Sequence, residues 1–305
     1  MKKDFLSIAD LSTDEVWSIL RLAQDLKAKQ KRGEPHHLLK GKTLGMVFMK
    51  PSTRTRISFE VGMFQLGGHA LYLSPAEIGL GARESAADVA RVLSRYVDGI
   101  MARLFAHEVI LELARHADVP VINGLTDLLH PCQIMGDMLT ILEHRGSFEQ
   151  LVVAYIGDGN NVANSWINMT TKLPFTFRIA CPAGYEPNKD VTTRAQRGGV
   201  GKVEIVREPA EAARGAHILY TDVWASMGQE AEAAERRQLF RRYQINAALM
   251  KAAAPDAKFM HCLPAHRGEE VTDEVMESPA SIIFDQAENR LHIQKAIMVQ
   301  LMAGR

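Results

Sequence analysis

The sequence predicts an α/β protein of two doubly wound parallel-sheet domains, with the active site in the cleft between them. Three observations carry that expectation. Short apolar runs alternate with amphipathic stretches, the alternation falls into two series, and polar or reactive groups gather directly after the apolar runs. Strands alternating with helices imply right-handed crossovers and parallel sheets covered on both faces. With 305 residues, the chain is long enough for two cores.

The elements follow in order. Ser12 and Glu15 stand at capping-box spacing, and Val16, Ile19, Leu20, Ala23 and Leu26 recur on one face, so residues 12–30 form a helix. The first series places strands at TLGMVFM (43–49), HALYL (69–73), GIMARL (99–104) and VPVI (119–122). Helices are expected between and after them, around 54–66, 85–96, 107–116 and 131–144. The second series runs LVVAYIG (151–157), FTFRIAC (175–181), KVEIV (202–206), HILYTDV (217–223) and KFMHCL (258–263), again with helical segments between. ENRLHIQKAIMVQLMA (288–303) is amphipathic and reads as a closing helix. The expected division is therefore 1–145 and 146–287, joined near EHRGSFEQ (143–150), with 288–305 packing back on the first domain. The sequence carries no internal repeat and no low-complexity tract.

Composition excludes several classes. Lys+Arg and Asp+Glu are both 36, so the formal net charge is zero and no basic excess points to nucleic acid. KAKQKR (27–32) reads as the solvated end of a helix. No apolar N-terminal h-region and no run of ~18 apolar residues occurs, so neither secretion nor membrane insertion is expected. Cys132, Cys181 and Cys262 are an odd number without C-x-x-C spacing, which fits a reducing cytoplasm.

Ligands of open parallel sheets bind outside the carboxyl ends of the strands. Ser52-Thr53-Arg54-Thr55-Arg56 follows the first strand, Arg103 the third, and His130-Pro131-Cys132-Gln133 the loop beyond the fourth. In the second series GDGNN (157–161), Asp222 to Gly228, and His261-Cys262-Leu263-Pro264 hold the equivalent places. Six such strand ends point to one cleft. Ile57, Val61 and Phe64 fall at helical spacing, so Ser52–Thr55 start a helix whose free N–H groups and dipole suit an anion. Hydroxyls and a guanidinium there fit phosphate oxygens; a plain Ser/Thr cap followed by solvated arginines is the alternative. No G-x-x-x-x-G-K-[ST] occurs, so the anion is a small molecule's phosphate rather than a nucleotide's.

GDGNN lacks the third glycine of a dinucleotide fingerprint, with Val162 in its place, and no acidic residue ends the next strand. Gly157 and Gly159 also fit a tight turn, and Asn161 either a helix cap or a ligand contact. His130, Cys132, His261, Cys262 and His266 are zinc-type ligands, but their spacing matches no common zinc pattern and strand neighbours face opposite ways. No metal is expected. Cys262 beside a histidine could act as an activated thiol, whereas Cys181 reads as a buried core residue.

Together these motifs resemble the aspartate/ornithine carbamoyltransferase family over essentially the whole chain. S-T-R-T-R stands at 52–56, H-P-C-Q at 130–133, D-x-W-x-S-M-G at 222–228 and H-C-L-P at 261–264. The first two mark carbamoyl phosphate binding across the family, and D-x-W-x-S-M-G resembles the loop of members that take ornithine. The resemblance implies transfer of the carbamoyl group to the δ-amino group of L-ornithine, giving L-citrulline and phosphate, without metal or organic cofactor. It implies that Ser52, Thr53, Arg54 and Thr55 hold the phosphate and that Arg103 bridges phosphate and carbonyl oxygens. His130 would donate to the carbonyl oxygen, Gln133 orient the carbamoyl amide, and Arg290 of A-E-N-R (287–290) reach the same ligand. Asn161, Asp222, Ser226 and Met227 would hold ornithine, with Cys262 and the Leu263 carbonyl where amine and carbamoyl group meet. On this resemblance Arg103, His130, Cys262 and Thr55 carry catalysis. It further implies a cytoplasmic homotrimer, or a multiple of trimers, acting in arginine metabolism and amino-acid biosynthesis. One departure stands out: where the family usually has a glutamine before L-G, contacting carbamoyl phosphate from a neighbouring subunit, SPAEIGLGARES (74–85) has Gly79.

Overall fold

The computed structural model describes residues 3–80, 83–225 and 230–304. They form two compact units, one of the residues up to Leu139 with those from Glu288 onward, the other of Thr140–Ala287.

The first unit opens with α1 (Thr13–Lys31), started by the capping box the sequence announces: Ser12 Oγ accepts from the Glu15 N–H and Glu15 accepts from the Ser12 N–H. There follow β1 (Thr43–Phe48), α2 (Thr53–Gln65), β2 (His69–Leu73), α3 (Pro75–Ile78), α4 (Ala86–Leu93), β3 (Gly99–Arg103), α5 (His107–His116), β4 (Val121–Leu125) and α6 (Pro131–Arg145). The strands pair in parallel in the order β2-β1-β3-β4. The chain winds outward from β1 to β2, then returns to β3 on the other side, so the winding reverses between β1 and β3. The carboxyl ends of those two strands, at Phe48 and Arg103, mark the switch point where such sheets bind ligands. Val47, Ile100, Ala102 and Val121 pack on Val89, Ile110 and Leu113 to form the core on one face.

β4 begins two residues later than VPVI suggests and continues through Asn123 and Gly124 to Leu125. Pro120 has no N–H for a ladder and serves only as acceptor, for the Ile100 N–H at 2.8 Å. Asn123 is tolerated inside the sheet because its amide donates to the Leu6 carbonyl at 2.9 Å. Gly124 leaves room for Met101, whose sulfur would lie 2.6 Å from an added Cβ.

The second unit contains β5 (Val152–Ile156), α7 (Asn161–Thr170), β6 (Thr176–Ala180), α8 (Lys189–Gly198), β7 (Lys202–Val206), α9 (Pro209–Ala213), β8 (Ile218–Thr221), α10 (Ala233–Phe240), α11 (Ala247–Ala252), β9 (Lys258–His261) and α12 (Asp273–Met276). Its parallel sheet has the order β7-β6-β5-β8-β9, so here the winding reverses between β5 and β8. Period-two alternation sorts the side chains. Ala154, Ile156 and Leu219 face a cluster with Phe240, Tyr243 and Phe259. Phe177 and Tyr220 face the other way onto Trp166, with ring centroids 6.0 and 5.6 Å away, and Tyr155 packs against both of them. The closing helix, α13 (Ile283–Met302), starts five residues before the expected 288 and, like α6, runs through the boundary between the units.

Candidate active site

At the β1/β3 switch point of the first unit, Ser52 caps α2 with extended backbone, its Oγ accepting from the Thr55 N–H at 3.3 Å. Thr53 and Arg54 occupy the first exposed turn, whereas Thr55 is buried. The two arginines of the motif part company. Arg56 turns along the helix to Glu60, 2.9 Å away, and lies over the Tyr72 ring at 4.0 Å from its centroid. Buried Arg290, from α13, donates to Thr55 Oγ1 at 3.2 Å and to Gln133 Oε1 at 2.6 Å. Gln133 donates in turn to Asp137 at 2.8 Å, which fixes its amide. His130 immediately precedes α6 and is buried, as is Arg103 at the end of β3. Burial, then the charges of Arg290, Arg103, Lys50 and Arg54, hold the imidazole of His130 well below its ordinary 6.5. The ring is neutral near pH 7 and can donate an N–H without adding charge.

Lys50 is a member of this cationic group that the motif reading passes over. It is buried, and its ammonium stands 5.3 Å from the Phe105 ring centroid. Its position two residues beyond β1 was the available signal. Cys132, inside H-P-C-Q, faces the core: its thiol donates to the Asn123 carbonyl, and burial pushes it up to about 12.

At the β5/β8 switch point of the second unit, Asp222 organises a compact polar cluster. Its Oδ2 accepts from Asn160 Nδ2 at 2.7 Å, and its Oδ1 accepts from the Cys262 thiol at 2.9 Å and the Val223 N–H at 2.8 Å. Asn160 also caps α7, accepting from the Val162 and Ala163 N–H groups. The cap is thus Asn160, and Asn161 is the first residue of the helix. Leu263, between Cys262 and a cis peptide to Pro264, sits in the left-handed region at φ 59°. Such a conformation is uncommon outside glycine. It is braced by the Leu263 N–H donating to His261 Nδ1 at 2.8 Å. A ring nitrogen that accepts from an N–H carries no proton, so His261 Nε2 donates to buried Glu270 at 3.1 Å. His261 is a brace for the turn. Ser226, Met227 and Gly228 lie outside the described residues.

Among the described residues, Asp222, His261 and Cys262 offer metal-ligand atoms within 4.8 Å of one another, as do His266, Glu269 and Glu270. In the first group both ring nitrogens of His261 are engaged by Leu263 and Glu270, and the thiol by Asp222. Cys262 and Asp222 thus pair with each other, while the imidazole of His261 pairs with groups outside the set.

The chain matches the family described as aspartate/ornithine carbamoyltransferase in both of its parts: the carbamoyl-P binding domain over residues 3–143 and the Asp/Orn binding domain over 149–301. The chain belongs to the aspartate/ornithine carbamoyltransferase family. Ornithine carbamoyltransferase of Syntrophotalea carbinolica is 58% identical over 303 residues, spanning 99% of this chain and 100% of that protein. The solved structure of ornithine carbamoyltransferase from Pyrococcus furiosus superposes with a TM-score of 0.97 at 53% identity, covering 100% of this chain and 98% of that one. That from Thermus thermophilus gives 0.89 at 43% identity, covering 99% of each chain. Against the family pattern, Gly79 has a local structural reason: it ends α3 at φ 55°, where its N–H donates to the Pro75 carbonyl. A side chain there would be strained, and its Cβ would fall 2.8 Å from Arg83.

Proposed function

We propose that this enzyme transfers the carbamoyl group of carbamoyl phosphate to the δ-amino group of L-ornithine, releasing L-citrulline and phosphate. The observation that carries the reading is the pair of polar clusters, one at each sheet's switch point, in a chain that matches both parts of the family. We assign carbamoyl phosphate to the unit containing α2, held by Ser52, Thr53, Arg54, Thr55, Arg103, His130, Gln133 and Arg290. Ornithine is assigned to the unit containing β5–β9, held by Asn161, Asp222, Ser226 and Met227. Cys262 and the Leu263 carbonyl are assigned to the reacting centre.

The chemistry suits these groups. As the amine attacks, negative charge gathers on the carbonyl oxygen, and Arg103, Thr55 and neutral His130 supply N–H and O–H donors, worth roughly 3 kcal/mol for a well-placed one. The cap of α2 and the guanidinium groups stabilise phosphate as it leaves. Free δ-amine holds its proton up to about 10.4, like lysine, and must lose it before attack; a desolvated site favours the neutral form. The Asp222 carboxylate provides the anion that an ammonium needs, and the Cys262 thiol, by donating to Asp222, orients that carboxylate. Within this reading the enzyme is a cytoplasmic homotrimer serving arginine metabolism.

The test is a ureido-product assay with carbamoyl phosphate and, in parallel, ornithine, N-acetylornithine, putrescine or aspartate. Citrulline from ornithine alone is expected. Product from another amine would overturn the acceptor while sparing the phosphate site.

A further inference from the structure

One charged group in the second unit has no part in the chemistry above, yet it joins the two loops that build the Asp222 cluster. Arg236, on α10, is 6% exposed. Its Nη1 donates both to Asp158 Oδ2 and to the Trp224 carbonyl, each at 3.0 Å, and its Nε donates to Glu232 at 2.9 Å. The guanidinium also lies 4.8 Å from the centroid of the Tyr185 ring. Asp158 stands two residues before Asn160 in the loop after β5, and Trp224 two residues after Asp222 in the loop after β8. Arg236 therefore ties together the same two loops that the Asn160–Asp222 bond ties, at positions two residues removed from it on each loop.

We propose that Arg236 is a positioning residue for the amino-acid acceptor. It sets the spacing of loops 157–160 and 222–225, and so the direction in which Asp222 presents its carboxylate, without itself touching substrate. The proposal rests on the assignment of Asp222 to the ornithine site. A planar guanidinium can serve a carboxylate, a carbonyl and a second carboxylate at once, whereas an ammonium on a flexible stem holds one of them as a point charge. Burial raises the stakes of this pairing: Asp158 is 8% exposed, and without its cation the carboxyl must either move toward water or take up a proton, and both release the loop from Arg236. A residue of purely structural value would lower the melting temperature and leave the two substrates equally affected. A positioning residue separates them.

The experiment measures KM for ornithine, KM for carbamoyl phosphate, kcat and the melting temperature for the parent, Arg236→Gln, Arg236→Lys and Asp158→Asn. Arg236→Gln should raise the ornithine KM about tenfold or more, the scale on which small misplacements of a site act, with the carbamoyl phosphate KM within about twofold. Arg236→Lys should fall between it and the parent, and Asp158→Asn should shift the ornithine KM in the same direction. Should Arg236→Gln fail to fold, Arg236→Lys decides: a lowered melting temperature with an unchanged ornithine KM overturns the proposal. Equal changes in both KM values overturn it too. The parent controls for the underlying reading, because a parent that makes no citrulline sinks the ornithine assignment and this proposal with it. A parent that turns over beside unaffected variants sinks only the role of Arg236.

Discussion

Arg290 shows what a single side chain contributes to the first polar cluster. It reaches from the closing helix to Thr55 and Gln133, residues 235 and 157 positions away in sequence, and its charge helps to keep His130 neutral. Arg290→Met should keep the fold but remove a charge-assisted donor, worth about 1.5–3 kcal/mol, and so weaken carbamoyl phosphate binding roughly 10- to 100-fold. Calorimetric titration with carbamoyl phosphate checks this, and an unchanged affinity would take Arg290 out of the proposed site. At this scale the sequence was legible where a motif fixes residues locally, and less so where helix rotation decides. Arg54 and Arg56 look alike in S-T-R-T-R, and only the Glu60 four residues on hints that Arg56 has another partner. Arg236 belongs to no motif, so nothing in its neighbourhood announces a contact 78 residues away.

At the scale of elements, the strands and most helices follow from periodicity, while the loops depend on what presses against them. Gly159 illustrates the difference. A Cβ there would stand 2.2 Å from the Pro187 nitrogen and 2.4 Å from the Glu186 carbonyl carbon, both backbone atoms that cannot swing aside. Gly159→Ala should push the β5 loop outward, destabilise the second unit by about 1–3 kcal/mol and raise the ornithine KM more than that for carbamoyl phosphate. Equal KM values in variant and parent would show that the loop absorbs the methyl group. The G-x-G pattern was visible in sequence, but its reason, a neighbouring backbone segment rather than a nucleotide phosphate, was not.

The closing helix carries a second element-scale consequence. Lys295 is fully buried in the first unit, donating to Gln65 at 2.8 Å and meeting His36 Nε2 at 3.1 Å, both uncharged acceptors when His36 is neutral. Burial lowers it from 10.5 to about 8. The unfolded chain therefore holds this proton up to about 10.4, while the folded chain releases it near 8. Between those values the unfolded state binds more protons, so this site's contribution to stability rises with pH and is lost as pH falls through about 8. Lys295→Met should be more stable relative to the parent at pH 7 than at pH 10, the difference shrinking by up to about 1.4 kcal/mol per pH unit above 8. Denaturant titrations of both proteins across that range test the sign. A difference that stays flat would mean that Lys295 keeps its proton.

For the whole molecule, the two alternating series made the two sheets legible, because each strand end had to be followed by a crossover and each crossover by a parallel strand. What that pattern leaves open is which helix faces meet another chain. On α2, Ile57, Val61 and Phe64 are 51%, 36% and 79% exposed, and their spacing places them along one side of the helix. The adjacent β2 is an edge strand of its sheet, with Leu71 40% exposed. Exposed apolar side chains along one side of a helix, together with an edge strand, are a reason for self-association. It lies on the helix whose first turn carries Ser52–Thr55, so a neighbouring chain seated there would also hold that helix in place. If the enzyme is the proposed trimer and this face is its interface, Phe64→Glu should shift the sedimenting species from three chains toward one, since burying an unpaired carboxylate opposes assembly. Carbamoyl phosphate affinity should fall with dissociation and recover as protein concentration rises. A variant that sediments like the parent would place the contact elsewhere on the chain, and the exposure of Phe64 would then need another explanation.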